Sequence, residues 1–300
     1  MQPRRTAVVF SGQGTARESA AEPGAISDAF DEVNDVALER LELRVPRVLA
    51  RSHCRRVNRR PELVQLTVYG LSIAAYRCRP PALVQPAVLV GHGLGELIAL
   101  VCAGGFSVAE GAEIICHRAA VLKTHCHGAG SMLSLDAHCP VAEALVKLVR
   151  PHQAAVAAEN TTSETIVSGS YEALDRIASL ALALNIRVKR LRAPYPLHCG
   201  SMMADAATDL GDRLLPMPGR ALSTPVFSPI LGRHYSAVDH LGVCVAEHLG
   251  KPIRFSGAVC RLREMGIDAF VEGGVLDGGY VPQSTELCTD PARPDLVGTH

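Results

Sequence analysis

The stretch Pro86-Ala87-Val88-Leu89-Val90-Gly91-His92-Gly93-Leu94-Gly95 decides the fold. Its first half is a short apolar run of the kind that forms a buried strand, and its second half has glycine at alternate positions. A helical stretch, Glu96 to Cys102, follows and ends at Gly104-Gly105. A strand, a sharp glycine turn and a helix in this order begin a parallel α/β unit, so the sequence predicts an α/β fold.

The segments on either side of this unit also have the patterns of strands and helices. Thr6 to Phe10 is another buried strand, and it breaks at Ser11-Gly12-Gln13-Gly14. Ser107-Val108-Ala109-Glu110 is a capping box that opens a helix, and apolar residues at helical spacing follow it. Arg118 lies beside that apolar stripe. We therefore expect its guanidinium to be partly buried and to need an anionic partner.

Between Ser131 and Arg192 the pattern changes. Strands and helices alternate there in the order βαββαβ, which is typical of a ferredoxin-like unit. Short strands at Pro225–Phe227 and Ala269–Val271 then return the chain to the larger domain. We predict a large α/β domain with a parallel sheet over residues 1–130 and 193–300, and a ferredoxin-like subdomain over residues 131–192. The last twenty residues are expected to form a loose tail.

Composition excludes several classes of protein. The 300 residues carry 30 Lys+Arg against 30 Asp+Glu, and this balance argues against binding to nucleic acid through general electrostatics. A hydrophobic share of 48% suffices for a core. The most apolar stretch, Ala87 to Phe106, contains His92, Glu96 and five glycines, so we expect no membrane-spanning helix. The N-terminal apolar run, Ala7 to Phe10, is too short for a signal peptide.

The ten cysteines form no CxxC pair. A chain of this length does not need disulfide bonds, which favours a reducing cytoplasm. His125-Cys126-His127, near Cys116 and His117, suggests zinc, but structural zinc sites use separated ligand pairs. Adjacent ligand types on one short loop cannot all face one ion. We therefore expect no metal and no tightly bound cofactor.

The spacing of Gly91-His92-Gly93-Leu94-Gly95 is that of a nucleophile elbow, G-x-S-x-G, with Gly93 in the place of the Ser. The strand and helix backbones of an elbow meet closely, which requires small residues such as Gly91 and Gly95. A side chain at the nucleophile position is held in a strained backbone conformation, at a cost of roughly 1–3 kcal/mol. Glycine relieves that strain but supplies no nucleophile.

Motifs in a fixed order resemble those of malonyl-CoA:acyl carrier protein transacylases and of the acyltransferase domains of polyketide synthases. They are Ser11-Gly12-Gln13-Gly14-Thr15, Gly91-His92-Gly93-Leu94-Gly95-Glu96, Arg118, Asn160, Ser168-Gly169 and His198. The elbow of the family reads GHSxGE, and the chain matches it except at the Ser. The resemblance covers about Thr6 to Gly279. It implies an α/β-hydrolase-like large domain with a ferredoxin-like insert.

The resemblance also implies a reaction. A Ser at the elbow of the family attacks an acyl-CoA thioester, and His198 would be its general base. The backbone N–H groups of Gln13 and Leu94 would form the oxyanion hole. Arg118 would bind the free carboxylate of a malonyl-type acyl group in a bidentate pair. The implied partners are acyl-CoA, an acyl carrier protein and, as a further candidate, a ketosynthase.

The remaining residues of the implied pocket are Gln65, Asn160 and His92. Gln65 matches a glutamine of the family near the same pocket, and Asn160 is expected to position His198. His92 is expected to pack beneath the elbow. Arg118 has an alternative interpretation, in which it pairs with a structural carboxylate such as Glu113.

Three segments besides Gly93 depart from the family pattern. Tyr195-Pro196-Leu197-His198 stands where HAFH or YASH is usual, and Val271-Glu272-Gly273-Gly274-Val275 lacks the proline of EVGPG. The segment after Gly14 is shortened. Cys199 follows His198, but neighbouring residues rarely direct their side chains to the same point, so we do not expect it to replace the nucleophile.

Three functions remain open. The first is an acyltransferase of polyketide or fatty-acid biosynthesis that is altered in covalent catalysis. The second is a non-catalytic protein that binds a carrier protein or a ketosynthase. The third is a hydrolase in which His198 activates water directly.

Overall fold

Two five-stranded sheets organise the chain. A computed structural model describes residues 5–12, 27–46, 60–78, 85–149 and 152–274. The strands are β1 (Thr6–Phe10), β2 (Val88–Gly91), β3 (Ser131–Leu135), β4 (Ala154–Glu159), β5 (Thr165–Gly169), β6 (Val188–Arg190), β7 (Val226–Ser228), β8 (Arg233–His234), β9 (Ile253–Arg254) and β10 (Ala269–Glu272). The helices are α1 (Ser27–Leu41), α2 (Pro61–Arg77), α3 (Leu94–Cys102), α4 (Val108–Cys126), α5 (Cys139–Val149), α6 (Tyr171–Ala183), α7 (Gly200–Leu214), α8 (Leu241–Glu247) and α9 (Phe255–Glu264).

The larger part of the fold is built on a mostly parallel sheet in the order β10-β1-β2-β7-β8. Only β8, at one edge, runs antiparallel to its neighbour. Val8 and Leu89 belong to the core on one face, and Val9 and Val90 to the core on the other. A parallel sheet covered on both faces needs unbroken apolar strands, which is the pattern seen in the sequence. The predicted strands of this sheet are confirmed, with shifts of one or two residues at their ends.

The predicted capping box begins α4. The Ser107 Oγ accepts a hydrogen bond from the Glu110 amide at 3.1 Å, and the Ser107 amide donates to the Glu110 carboxylate at 2.6 Å. Two of the amides that lack an intrahelical partner at the start of the helix are thereby satisfied. The stripe that follows is buried, and Arg118 is buried with it.

The smaller part is an antiparallel sheet in the order β6-β3-β5-β4, with α5 and α6 packed on it. The chain order βαββαβ is as predicted. A difference lies at the edge, where β9 pairs in parallel with β4. A strand of two residues is too short to produce a recognisable pattern, so no sequence signal indicates that the chain beyond residue 192 completes this sheet.

Three further expectations concern the cysteines, membrane-spanning helices and the C-terminal tail. Of the cysteines that the structure describes, seven have free thiols, whereas Cys260 is disulfide-bonded, contrary to the expectation for this chain. None of the helices within the described ranges combines the length and hydropathy that a membrane crossing requires. The predicted C-terminal tail lies outside the described residues.

Candidate active site

A sharp turn joins β2 to α3. Gly93 forms its apex with φ +58° and ψ −113°, immediately before the first helical residue, Leu94. The turn is closed by two backbone hydrogen bonds, from Gly95 to the His92 carbonyl at 3.0 Å and from Glu96 to the Gly93 carbonyl at 3.1 Å. The backbone thus has the geometry of an elbow, with positive φ at the apex.

The three elbow glycines differ in what surrounds them. A Cβ atom on Gly91 would lie 2.1 Å from the Glu96 amide nitrogen, and one on Gly95 would lie 1.9 Å from the Phe10 carbonyl oxygen. Both contacts are with backbone, which cannot move aside. Among the described residues, a Cβ atom on Gly93 would meet only the Ile253 Cδ1, at 3.7 Å. Gly91 and Gly95 are therefore required by packing, whereas the space at position 93 admits a side chain.

His198 is buried and held by backbone alone. Its amide donates to the Leu249 carbonyl at 2.7 Å, and its Nδ1 lies 2.8 Å from the Lys251 carbonyl oxygen. A carbonyl only accepts, so Nδ1 carries the proton and Nε2 is left as an acceptor. Burial lowers the pKa of His198 to about 3, and the charge of nearby Arg118 acts in the same direction. The side chain is a neutral imidazole whose Nε2 carries no proton.

Arg118 is a buried cation that has no counter-ion among the described residues. Burial lowers the pKa of its guanidinium to about 10, and its Nε has no hydrogen-bond partner among the described residues. Glu113, its alternative partner, instead pairs with Arg40 and lies 3.7 Å from His117. Gln65 on α2 also has a buried oxygen without a partner, and α2, α3 and α4 pack on one another. This arrangement suits an anionic ligand that also donates a hydrogen bond.

Asn160 contacts His92 rather than His198. Its Oδ1 lies 2.8 Å from the His92 Nε2, and its Nδ2 donates to Glu164 at 3.0 Å. The His92 ring packs edge-on against Phe255, with 5.4 Å between ring centroids. The expectation that Asn160 positions His198 is therefore wrong, because the carbonyl of Lys251 takes that role. His92 packs at the elbow as expected.

A buried polar network was missed by the sequence analysis. The Tyr235 hydroxyl donates to Glu96 at 2.7 Å and lies 3.1 Å from the His248 Nε2, which is 3.3 Å from the same carboxylate. Burial and the charge of Glu96 raise the pKa of Tyr235 well above its usual value. Glu96 belongs to the elbow helix, and His248 precedes the two carbonyls that hold His198. The network therefore connects the two halves of the site.

Three further residues concern the oxyanion hole and the alternative nucleophile considered above. The Leu94 amide opens α3 and has no acceptor within the described part of the chain. Gln13 lies outside the described residues. Cys199 is fully buried, burial raises the pKa of its thiol, and its Sγ lies 3.7 Å from the Ser201 hydroxyl. It has the character of a core cysteine.

The other polar clusters and cavities lie elsewhere. Within the described ranges no three His, Cys, Asp or Glu side chains are placed to hold a metal, and His125 contacts Asp209 at 2.9 Å. Two cavities of about 500 and 390 Å³ are lined by surface helices and strand ends. Neither is lined by Gly93, Arg118 or His198, and neither has a buried polar atom lacking a partner. Among the described residues, the buried polar side-chain atoms without a partner lie instead on α2, α3 and α4.

The profile of the acyl transferase domain family matches residues 8–273. A polyketide synthase system protein for spectinabilin, NorA' of Streptomyces orinoci, is 30% identical over 98% of this chain. The chain spans 8% of the length of that relative, and 7% and 12% of two further polyketide synthases.

Two solved structures have the same fold. The acyltransferase domain from the second module of the salinomycin polyketide synthase has a TM-score of 0.78 and 26% identity, over 97% of this chain and 68% of that one. A malonyl-transacylase in complex with its type II polyketide synthase acyl-carrier protein has a TM-score of 0.82 and 20% identity, over 94% of each chain. With its elbow, buried histidine and two-part α/β fold, the chain belongs to the acyl transferase domain family.

Proposed function

We propose that the chain binds malonyl-type acyl thioesters at the elbow, as part of acyl delivery to a carrier protein in polyketide or fatty-acid biosynthesis. We further propose that it forms no acyl-enzyme at position 93. The observation that carries the proposal is the buried Arg118 guanidinium, which has no counter-ion in the part of the chain that the structure describes. Burying an unpaired charge costs folding free energy unless a ligand pairs with it.

The ligand that best fits Arg118 is a carboxylate. A guanidinium and a carboxylate form two parallel hydrogen bonds, and burial strengthens such a pair. The influence of Arg118 on the pKa of His198 supports a common pocket, since it requires the two side chains to lie close together. An acyl group with a free carboxylate could thus reach Arg118 while its thioester lies near the elbow. The proposed ligand is an acyl-CoA or an acylated carrier protein of this type.

Gly93 supports the second part of the proposal. In the family pattern the apex residue is the Ser that becomes acylated, and Gly93 has no atom that could attack. The N–H group of Leu94, with that of Gln13, would still stabilise an oxyanion. His198 would still accept a proton through Nε2. The site we propose therefore still binds and polarises the thioester, but it forms no covalent bond to the acyl group.

The first test compares malonyl-CoA with acetyl-CoA. We expect malonyl-CoA to bind more tightly by about 1.5–3 kcal/mol, because only its carboxylate pairs with Arg118. Arg118→Ala should abolish the difference, which is roughly 10- to 150-fold in Kd by calorimetry. Arg40→Ala, at an exposed arginine, is the matched control and should leave it unchanged. Equal affinities in the parent protein would exclude the carboxylate pair.

A second candidate function is non-catalytic binding of an acyl carrier protein or a ketosynthase. The observation that favours it is the empty apex at Gly93, together with the fold shared with a transacylase solved in complex with its carrier protein. Binding of a carrier protein whose arm carries no acyl group, with no measurable affinity for malonyl-CoA, would support this function over the first. Intact-mass analysis after incubation with malonyl-CoA should show no adduct under either.

A further inference from the structure

We propose that the elbow of this chain uses water as its nucleophile, so that it hydrolyses malonyl-type thioesters to the free diacid and a thiol. The inference rests on the proposed binding of such thioesters and adds an activity to it. It follows from three features: open space at Gly93, a backbone-held base at His198, and an amide donor at Leu94.

The first feature is the open space at Gly93. A Cβ atom on Gly93 has only the Ile253 Cδ1 within 4 Å, at 3.7 Å. Among the described residues, the space where a side chain at position 93 would begin is therefore open, and it adjoins the N-terminus of α3. A water molecule, which is about the size of a hydroxyl group, fits where a side-chain nucleophile would otherwise lie.

The base is fixed independently of any side-chain nucleophile. Both its amide and its Nδ1 are bound to carbonyls of the 249–251 segment. Nε2 thus remains an acceptor in the absence of a serine hydroxyl. Because burial lowers the pKa of His198, the imidazole is neutral at physiological pH and its Nε2 carries no proton. The network of Glu96, Tyr235 and His248 fastens this segment to the elbow helix.

The reaction balances with these groups alone. The water oxygen bonds to the thioester carbonyl carbon while His198 Nε2 takes one of its protons, and the Leu94 amide donates to the oxygen that becomes negative. The tetrahedral intermediate then collapses as the C–S bond breaks. The departing thiolate takes the proton from His198. The products are a carboxylic acid and a thiol, with no oxidant or metal involved.

The experiment measures thiol release from malonyl-CoA by the purified chain. We expect release above the uncatalysed rate, and His198→Gln should lower it about 100-fold, as for loss of a general base. Gly93→Ala should lower it at least tenfold, because the methyl group displaces the water. Gly128→Ala is the matched control: Gly128 also has positive φ, with nothing within 4 Å of its Cβ position, and its rate should be unchanged.

Binding measured on the same variants separates this inference from the proposed function. Malonyl-CoA that binds but is not cleaved faster than in buffer would overturn hydrolysis and leave the binding proposal intact. Failure to bind malonyl-CoA would overturn both. Hydrolysis that persists at the full rate in a folded Gly93→Ala or His198→Gln protein, with binding unchanged, would also overturn the assignment of water at the elbow.

Discussion

At the scale of single residues, position 93 has the backbone of a nucleophile elbow but lacks the nucleophile. The backbone there has the strained geometry of an elbow, yet the residue that occupies it carries no reactive atom. The base His198, the Leu94 amide donor and the cation Arg118 are positioned by backbone and packing contacts rather than by a side chain at position 93. Restoring a hydroxyl therefore tests whether these groups are still aligned.

Gly93→Ser should produce a protein that is acylated at position 93 by malonyl-CoA and passes the acyl group to a carrier protein. The space above Ile253 accommodates the hydroxyl, and His198 provides the base. The returned backbone strain, roughly 1–3 kcal/mol, should lower the melting temperature. Intact-mass analysis measures the adduct, and Gly93→Ser combined with His198→Ala should give none. A folded Gly93→Ser protein without an adduct would show that the groups are misaligned.

Motif order predicted some site residues but not their contacts. Arg118 was expected from an apolar stripe and is buried there. Asn160 was assigned to the wrong histidine, since order along a chain does not determine which of two neighbouring imidazoles an amide will meet. Glu96 and Tyr235 are 139 residues apart in the chain, so no local pattern could join them.

At the scale of elements, the elbow depends on how closely β1, β2 and α3 approach one another. Gly95 touches the backbone of β1, and Gly91 touches the first turn of α3. The strand–glycine–helix pattern predicted this unit because both requirements are local in sequence. Strand β9 was not predicted, because two residues carry no periodicity and the pairing with β4 is long-range.

Gly95→Ala should destabilise the fold by about 3 kcal/mol or more, since its methyl group would lie 1.9 Å from the Phe10 carbonyl oxygen. Urea unfolding followed by circular dichroism measures the change. Gly128→Ala, which adds a methyl group in open space at positive φ, should cost only about 1 kcal/mol. A Gly95→Ala protein as stable as Gly128→Ala would contradict the close approach of α3 to β1.

At the scale of the whole molecule, the site joins the two sheets. His92 at the elbow contacts Asn160 of the small part, and Ile253, in the strand that extends the small sheet, faces Gly93. Burial lowers the pKa of His92 and of His198 at this junction. Their protonation is therefore coupled to folding of the entire chain.

The free energy of unfolding should fall as the pH is lowered from about 7 towards 4. Burial depresses the pKa of His198 from 6.5 to about 3, so the unfolded chain takes up a proton in this window that the folded chain refuses. Arg118, His92 and His248 face the imidazole and act in the same direction. Denaturant unfolding at several pH values measures the slope. His198→Gln should flatten it, and His127→Gln, at an exposed histidine, should not.

The open space around position 93 allows serine and glycine to replace each other there during evolution. Serine codons that begin with AG become glycine codons through one base substitution, and the reverse step is equally short. The neighbouring glycines are pinned by backbone contacts, so the elbow persists whichever residue occupies its apex. Reactivity at this position can therefore be lost and regained by point mutation while the fold stays under purifying selection.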